Sequence, residues 1–144
     1  MRREPIYRAL YKLLNEGVTS AVTFSRVLAH WDDVSPNQQP AMFMTQDSQI
    51  VERESGRPAR YTLGVKLWIY CHRDSMDDIP VVQLNNVLDE IEAAIQPDPS
   101  PSYRQTLGGL VEKCWIDGSI DTDEGTLGNQ AVAIVPIRIL VVAS

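Results

Sequence analysis

The stretch Arg60-Tyr61-Thr62-Leu63-Gly64-Val65-Lys66-Leu67-Trp68-Ile69-Tyr70-Cys71-His72 decides the fold. Tyr61, Leu63, Val65, Leu67, Ile69 and Cys71 fall on one side of an extended chain; Arg60, Thr62, Lys66, Trp68, Tyr70 and His72 fall on the other. Alternation this long has the two-residue period of a β-strand. The aliphatic side must face a core. The other side is mixed and aromatic, which suits partial cover by another element or by a partner.

A second long strand is expected over residues 131–142, which are β-branched and apolar on both sides apart from Arg138. Both of its faces should therefore be covered. Pro136 lies inside it, has no N–H for a ladder, and implies an edge position or a bulge. Shorter strands are expected at 20–28, where Val22, Phe24 and Leu28 interleave with Thr23 and Ser25, at 41–46 between Pro40 and Asp47, and at 111–116 after Gly108-Gly109.

Two helices flank this set. Over residues 5–16, Ile6, Ala9, Leu10, Leu13 and Leu14 recur at helical spacing. Pro5 suits a first turn, and Gly17 supplies a stop. Over residues 79–95 the buried stripe is Leu84, Val87, Leu88, Ile91 and Ile95, with Asp77 or Asp78 as cap and Pro80 in the first turn. Asn85, Asn86, Asp89, Glu90 and Glu92 lie largely off that stripe, and Pro97, Pro99 and Pro101 then turn the chain into a loop. Residues 31–36 are turn-like.

Two segments read as polar loops. Residues 49–59 contain Glu52-Arg53-Glu54, Gly56 and Pro58 and suit a solvated hairpin tip, or an arm that orders against a neighbour. Residues 117–129 are acidic and punctuated by glycine; Asp121, Asp123 and Glu124 there suit a solvated hairpin or a surface facing a partner or a lumen.

The element order α, β, β, β, α, β, β implies an α+β fold, a largely antiparallel or mixed β-sheet with two helices packed on one face. The other sheet face would stay open in a monomer, and an exposed apolar patch of that kind marks an interface. Trp68, Tyr70 and Arg138 are the candidate contact residues on that side.

The bulk numbers agree with one domain over residues 1–144. The chain is 44% hydrophobic and 22% charged, with a formal net charge of -6. That sign argues against general nucleic-acid binding, which needs cations to displace counterions from phosphates. No apolar run reaches the roughly 18–20 residues of a membrane span, and the N-terminus lacks a signal-peptide core, so folding in the cytoplasm is expected. Cys71 and Cys114 form no CxxC pair; two buried free thiols, rather than a disulfide, are expected of a chain that folds in the cytoplasm, and a zinc site lacks its signature.

The chemistry-bearing residues form no constellation. His30 and His72 have no neighbour at metal-ligand spacing. Asp121-Thr122-Asp123-Glu124-Gly125 lacks the twelve-residue calcium-loop layout. Gly108-Gly109 belongs to no phosphate-binding motif, and no GxSxG elbow occurs. The expectation is a protein without cofactor or metal that is not an enzyme.

Several segments together resemble the tail terminator (tail completion) proteins of long-tailed bacteriophages. They are Ile6-Tyr7-Arg8-Ala9-Leu10, the Arg26 to His30-Trp31 turn region, Gln39-Pro40-Ala41, Gln105-Thr106-Leu107-Gly108-Gly109-Leu110-Val111 with Cys114-Trp115-Ile116, Asp123-Glu124-Gly125, and Gln130-Ala131-Val132-Ala133-Ile134-Val135-Pro136-Ile137. The resemblance is spread over nearly the whole chain. It implies a homo-oligomeric, usually hexameric, ring that binds the last ring of the tail tube, ends tube polymerisation and offers a surface to the head–tail connector. It implies no cofactor, no membrane, and DNA only as cargo passing through the lumen. The virion, at the head-proximal end of the tail, is the implied location. A head–tail connector or neck protein of the same virion is the alternative, and a small non-viral binding module a further one.

Overall fold

The computed structural model describes residues 1–73, 75, 77–97 and 103–143. Its elements are α1 (Arg3–Gly17), β1 (Thr23–Ser25), β2 (Ala41–Glu52), β3 (Arg60–His72), α2 (Pro80–Ala94), β4 (Lys113–Ile116), β5 (Asp121–Glu124) and β6 (Gln130–Val142). The strands form one six-stranded sheet in the order β1-β2-β3-β6-β4, with β5 also paired to β6. β1 runs parallel to β2 and every other pairing is antiparallel. The α+β class expected above is what the chain adopts.

The centre is the β3–β6 ladder, which runs unbroken from Arg60↔Val142 to His72↔Gln130. Because facing residues share a side, Leu63, Val65, Leu67, Ile69 and Cys71 meet Ile139, Ile137, Val135, Ala133 and Ala131. Both helices pack over that side, giving one core with Tyr7, Leu10 and Leu14 of α1 and Leu84, Val87 and Ile91 of α2. Most of these side chains are fully buried. Each large one contributes about 1.5–3 kcal/mol of burial.

Several local expectations change. α1 runs through Gly17, whose backbone is not left-handed. Its role is close approach: a Cβ there would sit 2.5 Å from the Cβ of Ala94 on α2. Neither Asp77 nor Asp78 caps α2. Ile79 stands at the N-cap without a side-chain bond, and the Asp78 carboxylate accepts from the Ser75 amide at 3.0 Å. Pro99 and Pro101 lie outside the described residues.

The strand expected at 20–28 shrinks to β1, because the chain turns after Ser25 and continues through 3-10 turns at Trp31–Asp33 and Pro36–Gln38. β2 continues past the expected end to Glu52, where it pairs with Arg60. Residues 49–52 are thus strand, and only 53–59 form the hairpin tip. The acidic loop contains β5, recruited by pairing Asp121–Glu124 against Ile134 to Ala131 of β6.

Pro136 sits at neither an edge strand nor a bulge. β6 is central, and Pro136 lies opposite the break between β4, which ends at Ile116↔Ile137, and β5, which starts at Asp121↔Ile134. Its carbonyl accepts from the Asp117 amide at 3.1 Å. The missing N–H therefore falls where no ladder bond is required.

Candidate assembly surface

The sheet side away from the helices carries Tyr70, Trp68, Lys66, Gly64, Thr62 and Arg60 of β3. Facing them on β6 are Val132, Ile134, Pro136, Arg138, Leu140 and Val142. This is the side expected to stay open, and half of it is not. Tyr70 is only 4% exposed and clusters with Val34, Ala41 and Phe43, while Ala29, Trp31, Trp68 and Val132 pack around them. The Tyr70 hydroxyl donates to the Ala29 carbonyl at 2.8 Å, and its ring meets Phe43 at 5.5 Å. Burial pushes the Tyr70 phenol up from its ordinary pKa. The chain's own 29–39 segment therefore covers this end, pinned by the Gln39 amide donating to the Val34 carbonyl at 3.0 Å. Tyr70 belongs to a second small core and offers no free contact surface. Trp68 is half-buried, its indole N–H donating to Thr45 Oγ1 at 2.9 Å.

The other end of the same side is polar and more open. Arg60, Lys113 and Ile50 are exposed, Lys66, Trp115 and Arg138 half-buried. The ammonium of Lys113 lies 4.5 Å from the centre of the Trp115 ring. Arg138 approaches Asp117 at 3.8 Å. Its Nη1 reaches over Gly64, is buried, and makes no hydrogen bond among the described residues. Asp47 and Ser48 together oppose Gly64, a bulge between the Gln46↔Val65 and Gln49↔Leu63 pairs. A bulge bends its strand and sharpens the twist. It thereby re-aims the hairpin that carries Glu52, Arg53 and Glu54.

Those three residues are exposed at the hairpin. Arg53 donates to the Tyr61 hydroxyl at 3.0 Å, and Glu54 pairs with Arg57 at 3.1 Å. Asp121 and Glu124 are exposed and Asp123 half-buried on β5, where Asp123 accepts from the Thr126 amide at 3.2 Å. The sheet thus separates the candidate residues into three places: the hairpin, the β5 edge, and the side bearing Trp68 and Arg138.

No protein-family model and no curated protein sequence matches the chain. A solved structure does. A chain from the virion of a native gene transfer agent particle superposes with a TM-score of 0.58 and 8% sequence identity, covering 94% of this chain and 93% of that one. At that identity the likeness shows a shared fold over nearly the full length of both chains.

Elsewhere, shifted acids and bases have local structural causes. Cys71 and Cys114 are free thiols inside the core, each pushed by burial up to about 12. Burial also raises Tyr7. Glu4 is held below the ordinary carboxylate range by its hydrogen bond to Arg26. Desolvation opposes ionisation of Glu90, but bonds from Ser20 and Thr19 outweigh it and hold the carboxyl low. Among the described residues no group of three or more His, Cys, Asp and Glu is placed to hold a metal, and no helix is long and apolar enough to cross a membrane. Sequence reading placed Val22 and Leu28 in an alternating strand and did not single out Val27; all three are exposed beside β1 because the strand is only three residues long.

Proposed function

We propose that this chain is a structural virion protein, the tail terminator. Copies of it form a ring, six in the reading favoured by the family resemblance, that seats on the last ring of the tail tube. The ring ends polymerisation and presents a surface to the head–tail connector. DNA crosses its lumen as cargo, and the protein acts without catalysis or cofactor.

The observation that carries this reading is the superposition, nearly end to end in both chains, on a chain of a virion particle. It agrees with the segment-by-segment resemblance to tail terminators. The surface supports it further. Apart from Tyr70, the candidate contact residues sit on a hairpin, a sheet edge and an outer sheet side, which are docking features, and they do not converge on a common cleft.

The test is to add the purified chain to the tube protein of the same virion as it polymerises, and to image the products by negative stain. Terminator activity gives tubes of limited length carrying a gold-tagged ring at one end only. Tubes of unchanged length without end labelling would overturn the assignment. Binding to isolated connectors without any effect on tubes would move the protein to the neck.

A further inference from the structure

The charge of this chain is segregated across its sheet. Residues 1–28 hold Arg2, Arg3, Arg8, Lys12 and Arg26 against Glu4 and Glu16. β1 closes one margin of the sheet and α1 lies beside it with Arg8 and Lys12 exposed, while Arg3 reaches back to Gln49 and Tyr61 and Arg26 is paired with Glu4. The ring of Tyr11 on α1 stacks 4.3 Å from Phe24 on β1, so helix and edge strand form one unit. Residues 77–97, which contain α2, hold Asp77, Asp78, Asp89, Glu90 and Glu92 and no Lys or Arg. The opposite margin, β4 and β5 with their connection, adds Asp117, Asp121, Asp123 and Glu124 against Lys113 alone.

Each margin also has an apolar feature of matching kind. Beside β1, the adjacent residues Val27 and Leu28, 79% and 44% exposed, make a knob just after the strand, and Val22, 63% exposed, precedes it. Beside β4, the end of α2 and the strand enclose an open groove of about 430 Å³ lined by Ile95, Pro97, Trp115 and Ile116, with Glu92 at its rim.

We infer that the β1 margin of one copy docks on the β4 margin of the next, with Val27 and Leu28 in the α2–β4 groove. Arg8 and Lys12 of α1 then face Glu92 of α2 and the carboxylates of β5. The occupant is a second copy because the two margins are complementary in sign: a free acidic peptide would suit only the basic margin, and a basic one only the acidic margin. Such a contact joins two different surfaces, so it is heterologous and closes into a ring or continues as a filament. It rests on the ring proposed above and names the surfaces that build it.

The experiment uses the full chain, in wild-type form and as three variants. Glu92→Lys with Asp121→Lys makes both margins basic. Arg8→Glu with Lys12→Glu makes both acidic. Val27→Asp spoils the knob. All changes are at exposed positions, and circular dichroism verifies the fold. Sedimentation velocity should show the wild type self-associating at low salt and dissociating near about 1 M, where screening shortens charge interactions to about 3 Å. Each variant alone should associate at least about tenfold more weakly, since rim charges turned repulsive oppose docking. An equimolar mixture of the two charge variants should associate again, because their margins alternate in sign.

Wild-type assembly that none of the variants weakens would overturn the margin contact while leaving the ring and its capping role standing. A mixture that fails to recover would overturn the head-to-tail arrangement. A wild type that is monomeric at every salt and protein concentration would overturn the contact as well, and tube capping would then be decided by its own assay.

Discussion

The guanidinium of Arg138 occupies the space that a side chain at Gly64 would fill. A Cβ at Gly64 would lie 2.7 Å from Arg138 Nη1 and 2.7 Å from the Ser48 carbonyl. Replacing Gly64 by Ala should therefore cost about 1–3 kcal/mol through overpacking. The companion change Arg138→Ser should recover part of that loss, because only one of the two obstacles is a movable side chain. Urea denaturation of the single and double variants measures the coupling; strictly additive effects would refute the steric relationship.

The two helices meet at Gly17 and Ala94. Alanine at position 17 gains up to about 1 kcal/mol of intrinsic helix propensity. The 2.5 Å approach to the Ala94 Cβ should outweigh it, since neither helix backbone can yield without repacking the core. Gly17→Ala should lower the melting temperature, and adding Ala94→Gly should restore most of it. A Gly17→Ala protein more stable than wild type would show that the crossing is loose.

The two thiols give a pH signature. Their unfolded value of 9.0 rises to about 12 in the fold, so the native state holds its thiol protons more tightly. Stability from these groups is complete below about pH 9 and is lost as pH climbs toward 12. Chemical denaturation across that range should show the decline, and Cys71→Ala with Cys114→Ala should flatten it. Ellman's reagent at pH 8 should leave both thiols unreacted until denaturant is added.

Removing the hydroxyl of Tyr70 frees the Ala29 carbonyl it holds. Tyr70→Phe should cost about 1 kcal/mol. The effect should be local: hydrogen exchange should quicken at Asp33 and Val34, whose amides close the neighbouring 3-10 turn. Uniform quickening over the whole sheet would show that the 29–39 segment is no separate unit.

Shortening the hairpin separates fold from assembly. Residues 53–59 can be replaced by an Asn-Gly turn between Glu52 and Arg60, which already pair. The melting temperature should move by only a few degrees, roughly the shift of 1 kcal/mol in a domain of this size. Tube capping should fall, because Arg53 and Glu54 go with the tip. Full capping by the shortened chain would remove the hairpin from the tube contact.

Much of the fold is legible in the sequence where burial imposes a period. The strand at 60–72 and both helices declare themselves because one side of each must be apolar. β5 does not, since Asp121-Thr122-Asp123-Glu124 is a strand only because β6 offers it partners, an effect of tertiary context. The far half of β2 is hidden for a related reason: it is polar, bulged and near the sheet margin. The cover over Tyr70 is harder still. Trp31 and Val34 are isolated apolar residues among turns, and no period reveals that they fold back onto Phe43. Of the candidate contacts, the charged residues of the hairpin and of β5 stand at the surface as their composition suggests. Tyr70 does not, because alternation tells which side a residue faces but not what lies over that side.

The break opposite Pro136 has a consequence for the protein before it finds its partners. Beyond β6 the sheet ends in two four-residue pieces rather than one long strand, and its other terminal strand is three residues long. The β4–β5 border gives a stray chain little consecutive backbone to zip onto, which is one way soluble proteins avoid amyloid-like growth; on the other side β1 covers only Ala41–Phe43, and the bulge at Asp47 and Ser48 interrupts the uncovered length of β2. The proline thus acts as a safeguard against clumping along that border, leaving side-chain matching, rather than open backbone, to choose what may join there.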